Sequence, residues 1–159
     1  MSEHILAIDQ GTTGTTVLIF DRETHIVGRA NAEFSQYYPR AGWVEHDGAE
    51  IWRVTLETAG RALASAGLSA RDLRAIGITN QRETVLAWNR HTGEPAHRAI
   101  VWQDRRTAGF CDDLRSRTGV TEMVRARTGL VIDPYFSGTK LRWLLENVPG
   151  LRAGAEAGD

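Results

Sequence analysis

The chain has 159 residues, 42% of them apolar and 25% charged, with 19 basic residues set against 20 acidic ones for a formal net charge of −1. These are globular values that argue against disorder, and the charge balance lacks the basic surplus of a nucleic-acid binder or a polybasic membrane patch. No apolar run nears the ~18 residues that span a bilayer, the lone Cys111 excludes an internal disulfide, and the N-terminus lacks a secretory pattern, so the expected location is the cytoplasm.

Residues 5–8 form a short apolar run ending at Asp9, and Gln10-Gly11-Thr12-Thr13-Gly14 is a turn signal before a second run at 17–20. Residues 26–34 predict a third strand, so an antiparallel meander opens the chain. Residues 37–43 read as a loop. Asp47 with Glu50 resembles a capping box, and Ile51, Val54, Leu56, Ala59, Leu63 and Ala64 recur near helical spacing up to a stop at Gly67. A turn of helix is expected over 69–74, then strands at 75–79 and 85–88 and a short apolar run at 100–102. Asp104, Thr121 and Ser137 are candidate caps of three further helices, the last with Leu141, Leu144 and Leu145 on one face. The tail, 152–159, is small and polar, read as frayed or cut short. Strands, a helix and more strands give a mixed α/β layer fold.

Asp9-Gln10-Gly11-Thr12-Thr13-Gly14-Thr15-Thr16 places a carboxylate at a strand end, two glycines that permit close backbone approach, and four hydroxyl donors. That combination suits the phosphates of a nucleotide, with Asp9 near a Mg²⁺ that keeps several waters. Neither a P-loop nor a dinucleotide fingerprint is present, and a plain threonine-rich hairpin fits the spacing equally well. Thr79-Asn80-Gln81-Arg82-Glu83-Thr84 sets a donor fork beside a carboxylate. This pairing suits a polyol, whose hydroxyls both donate and accept; a solvated turn with a local ion pair is the alternative. His46 reads as a surface residue beside the cap Asp47, and Cys111 as a packed, inert thiol.

Together with Gly42-Trp43-Val44-Glu45-His46-Asp47, Ile100-Val101-Trp102-Gln103 and Thr128 through Lys140, which includes Asp133-Pro134-Tyr135-Phe136-Ser137-Gly138-Thr139-Lys140, these motifs resemble the glycerol kinases of the FGGY carbohydrate kinase family over nearly the whole chain. The resemblance implies an α/β fold, the ribonuclease-H-like (actin/Hsp70-type ATPase) N-terminal lobe, incomplete, with residues 1–159 as one partial domain. It implies ATP and Mg²⁺ as cofactors, glycerol as substrate, and homo-oligomerisation of the complete enzyme. It places Arg82, Glu83 and Tyr135 on glycerol hydroxyls, Trp102 on the carbon backbone, Gly11, Thr12, Thr13 and Gly14 along the phosphates, and Asp9 near the metal. No catalytic base is expected here, because the family's aspartate base and second lobe lie beyond residue 159, so the chain alone is expected to be inactive. An exposed sheet edge and marginal stability follow from the same expectation. Gly14-Thr15-Thr16 stands where many glycerol kinases carry Ser-Ser-Arg, and Thr16 cannot supply that arginine's charge. Another FGGY polyol or sugar kinase, or a non-catalytic remnant with a polyol- or phosphate-binding surface, are the alternatives.

Overall fold

In the computed structural model, which describes residues 3–159, the opening meander forms as the apolar alternation dictates. Strands β1 (His4–Gln10), β2 (Gly14–Phe20) and β3 (Ile26–Glu33) run antiparallel. Leu6 lies opposite Ile19, Ile8 opposite Val17, and Val17 opposite Ala30, so one face of the sheet collects these side chains. Helix α1 (Gly48–Ser65) buries Val54, Thr58 and Ala62, spaced one turn apart, and Ala62 joins Leu6, Val17, Ile19 and Ala30 in the core. Gly28 makes this packing close: a Cβ there would stand 2.7 Å from the Ala62 carbonyl oxygen. The helix stops where expected, with Gly67 at φ +66° and the Leu68 N–H donating to the Leu63 carbonyl. A short 3-10 turn, Ala70–Asp72, leads into β5 (Leu73–Asn80), which runs parallel to β1 and sets the order β3-β2-β1-β5. β5 is an outer strand, and its Ile76 and Ile78 are 59% and 72% exposed.

The chain divides into two compact units. The sheet unit comprises the residues through Ser35 together with Ala49–Gln81, and the second comprises Gln36–Gly48 and Arg82–Asp159. In the second, β4 (Glu45–His46) pairs with β6 (Ala99–Ile100), followed by α2 (Ala108–Ser116), α3 (Val120–Thr128), α4 (Ser137–Asn147) and α5 (Leu151–Ala157). Val85, Ile100 and Leu144 form its core, flanked by Ala87, Trp143, Val148 and Leu151.

Several local expectations fail for physical reasons. Residues 85–88 are not a strand: only the bridges Val85–Ile100 and Trp88–Pro95 form, because Asn89 turns the chain by accepting the N–H groups of His91 and Thr92 through its side chain. α2 starts after Thr107, not at Asp104, whose carboxylate binds Arg106 and the Val44 N–H. α3 starts after Gly119 at φ +76°, and not at Thr121. Ser137 opens α4 as its first residue, with Phe136 at the cap. The tail is helical as α5, which closes on Gly158 at φ +86°. Among the described residues no helix is long and apolar enough to cross a membrane.

Candidate functional site

Every candidate phosphate residue lies in the sheet unit. Asp9 is exposed near the C-terminal end of β1, paired with Thr16 on one side and Thr79 on the other. The turn closes by a hydrogen bond from the Gly11 N–H to the Gly14 carbonyl at 2.9 Å. The Gly11 carbonyl accepts two side-chain amides, from Gln10 at 3.2 Å and Gln81 at 3.3 Å, and Gln81 also donates to Gln10 Oε1 at 3.1 Å. Gln81, the residue after β5, therefore braces the turn that carries Thr12 and Thr13. Gly14 has a packing reason of its own: a Cβ there would stand 2.5 Å from the Ala32 carbonyl oxygen. Among the described residues no group of three or more His, Cys, Asp or Glu could hold a metal ion. Asp9 is a single exposed carboxylate with the half-buried Thr12 and the exposed Thr13 in the adjoining turn, a donor set that would suit a Mg²⁺ keeping its waters and not a cation caged by protein.

Every candidate polyol residue lies in the second unit, and a closed circuit of contacts joins Glu83, Trp102 and Tyr135. Glu83 Oε2 accepts the Ser137 N–H and the Ser137 hydroxyl, each at 2.8 Å. Its chain neighbour Thr84 accepts the Trp102 N–H at 3.3 Å. The Trp102 ring meets the Tyr135 ring edge to face, with centroids 5.9 Å apart, and the Phe136 ring meets Tyr135 at 5.1 Å. Tyr135 and Phe136 lead straight back into Ser137. Glu83 adopts φ +66°, a left-handed conformation that costs a residue with a Cβ about 1–2 kcal/mol. Strain of that kind persists where its surroundings over-determine it, as the Ser137 clamp does here. Arg82 is exposed, and its guanidinium has no ion pair with Glu83 among the described residues. In place of the local ion pair weighed as the alternative, Glu83 makes a contact across 54 residues of sequence.

Lys140 lies behind this circuit with no exposed surface, its ammonium donating to the carbonyls of Tyr135 and Phe136. Burial pushes its pKa down to about 8, against the pull of Glu83, Asp104 and Asp133. Lys140 stands one turn before the buried Leu144, and a lysine on an apolar helix stripe was the available signal of its burial.

The second unit buries another cation, Arg106. The Arg106 guanidinium binds Asp104 at 2.9 Å and Glu45 at 2.8 Å, and stacks on the rings of Trp43 and Trp143 at 3.8 and 4.5 Å. His46, expected at the surface, is wholly buried and bonds Gln36 Oε1 through Nε2 at 2.7 Å, because β4 turns it inward. Cys111 is buried in α2, where desolvation raises its pKa, as suits an inert thiol. An apolar cleft of about 630 Å³ between the 86–90 turn and α4–α5 is lined by none of the polyol candidates.

Residues 4–157 match the FGGY family of carbohydrate kinases, N-terminal domain. The chain is 58% identical over 158 residues to a glycerol kinase of Brucella ovis, covering 99% of this chain and 32% of that protein. It is 57% identical over 159 residues to a glycerol kinase of Methylobacterium nodulans, again over 32% of it. The structure superposes on the Plasmodium falciparum glycerol kinase with ADP at a TM-score of 0.89 and 34% identity, covering 98% of this chain and 31% of that one. A xylulose kinase from Brucella ovis follows at a TM-score of 0.83 and 25% identity, over 94% and 30% of the two chains. The α/β fold is that of these actin-type sugar kinases, and the chain spans about a third of their length. This chain belongs to the FGGY family of carbohydrate kinases and matches its N-terminal domain.

Proposed function

We propose that this chain is the N-terminal part of an ATP-dependent glycerol kinase, with glycerol held by Arg82, Glu83, Trp102 and Tyr135. The observation that carries the reading is the circuit Glu83–Ser137–Tyr135–Trp102–Thr84, which gathers a carboxylate, a phenol and an indole face into one place. Glu83 Oε1 and the Tyr135 hydroxyl offer an acceptor and a donor–acceptor, Arg82 offers a donor fork, and Trp102 offers an apolar face to the carbons. Identity of 55–58% to glycerol kinases along the chain favours glycerol over the xylulose of the structural relatives.

In this reading Gly11, Thr12, Thr13 and Gly14 follow the phosphates of ATP, and Asp9 takes a Mg²⁺ through water. That cation offsets phosphate charge when bound. The carboxylate that receives the hydroxyl proton comes from the remaining two-thirds of the enzyme, so these 159 residues alone turn over no glycerol. The test is a fusion of this chain to the unmatched remainder of the Brucella ovis glycerol kinase, assayed with MgATP and glycerol, xylulose or gluconate. Turnover preferring glycerol, and lost on Glu83→Ala, is expected. A preference for xylulose or gluconate overturns the assignment.

A further inference from the structure

We propose that Lys140 is a positioning residue of the polyol site: tied to the carbonyls of Tyr135 and Phe136, it fixes the Tyr135 ring against Trp102 and the Ser137 donors against Glu83. The inference rests on the reading of Glu83, Trp102 and Tyr135 as polyol ligands.

Lys140 stands where a lysine is doubly unfavourable. It closes the first turn of α4, where the helix end carries partial positive charge, and its side chain is fully buried. A Met or Leu would pack there without that cost, as Leu144 does one turn later. What compensates is directional. The segment 133–137 is held through its N–H groups by two carboxylates: Tyr135 N–H donates to Asp133 Oδ1 and Ser137 N–H to Glu83 Oε2, each at 2.8 Å. Within the same segment, the carbonyls of Tyr135 and Phe136 are held by Lys140. Glu83, Asp104 and Asp133 supply the charge that lets the ammonium remain. A peptide segment pinned through both its donors and its acceptors leaves the Tyr135 side chain no backbone freedom.

The experiment measures near-UV circular dichroism of the 159-residue chain for wild type, Lys140→Met and Lys140→Arg, each also in a Trp102→Phe background. Lys140→Met is expected to keep the far-UV spectrum but lose most of the signal that Trp102→Phe removes. Lys140→Arg, which still reaches two carbonyls, is expected to restore it, and in the Trp102→Phe background Lys140→Met is expected to change little. An unchanged aromatic signal in Lys140→Met, or a change undiminished without Trp102, overturns the proposal. Should Lys140→Met not fold, Lys140→Gln carries the same readout. Glycerol titrated into wild type and Lys140→Met separates the two readings. Binding about tenfold weaker in the variant supports both, and equal binding overturns the positioning role. No binding to wild type overturns the ligand assignment and leaves the aromatic result standing.

Discussion

One oxygen of Glu83 accepts both the backbone N–H and the hydroxyl of Ser137, at 2.8 Å each, and so places a carboxylate at the first residue of α4. A negative group at a helix N-terminus satisfies an otherwise orphaned donor and complements the helix dipole. Removing the hydroxyl by Ser137→Ala is expected to cost about 1 kcal/mol, and removing the charge by Glu83→Gln about 2 kcal/mol. Thermal unfolding followed at 222 nm reads both, and equal midpoints for the two variants would contradict the ordering.

Gly28 and Gly77 both lie in strands, yet their surroundings differ. A methyl group at Gly28 meets the Ala62 carbonyl oxygen at 2.7 Å and the Ala66 Cβ at 3.0 Å, whereas at Gly77 nothing lies within 4 Å. Gly28→Ala is expected to push α1 off the sheet at a cost of roughly 2 kcal/mol or more. Gly77→Ala is expected to be neutral or to stabilise by about 0.5 kcal/mol, through the unfolded chain. Urea denaturation of the two variants side by side checks the contrast.

How far these features can be read from sequence depends on how local they are. The meander, α1 and its stop at Gly67 follow from patterns of period two and 3.6 within a few residues, and they stand in the structure. The hairpin at Gly11–Gly14 was equally plain. Asp104 was read as a cap because nothing beside it in the sequence tells that Arg106 and the Val44 N–H, 60 residues upstream, claim its oxygens. His46 was placed at the surface because a two-residue strand carries no periodic signal of which side faces inward. Residues 152–159 read as frayed or cut short because Ala and Gly leave no apolar stripe, although 152–157 continue a helix that Leu151 anchors in the core. Of the candidate site, the residue types were legible and the circuit was not. Glu83 beside Arg82 suggested an ion pair, while its actual partner lies on a helix 54 positions away.

Lys140 gives the chain a signature in alkali. Its pKa in the folded chain, about 8, lies below the ordinary 10.5, so the folded state releases this proton first. The unfolded state then binds more protons between about pH 8 and 10.5, and the contribution of Lys140 to stability rises across that window. Below pH 8 its full cost is present. Wild type is expected to gain roughly 1–3 kcal/mol relative to Lys140→Met between pH 7 and 10. The difference between the pair removes the opposing effect of Cys111, and a difference independent of pH would refute the assignment.

Arg106 is expected to tolerate no replacement. Asp104 and Arg106 have side chains with no exposed surface, and Glu45 retains 7%. Arg106→Met strands two buried carboxylates and is expected to cost about 3–5 kcal/mol. Arg106→Lys keeps the charge but loses the fork and the stacking on Trp43 and Trp143, and is expected to recover less than half of that. Chemical denaturation with tryptophan fluorescence measures both.

The second unit is not continuous in sequence: Gln36–Gly48 belongs to it, although this stretch interrupts the chain of the sheet unit. That thirteen-residue excursion delivers Trp43, Glu45 and His46, and with them two of the groups that enclose Arg106. Expressing 82–159 alone would leave the guanidinium with Asp104 as its sole anion and one indole wall missing. A synthetic peptide of residues 36–48 would then act as a complementing strand, restoring cooperative melting to a fragment that lacks it. Genetic dissection at Gln81 would therefore leave the sheet unit whole but split the other, with its thirteen-residue excursion stranded on the wrong piece.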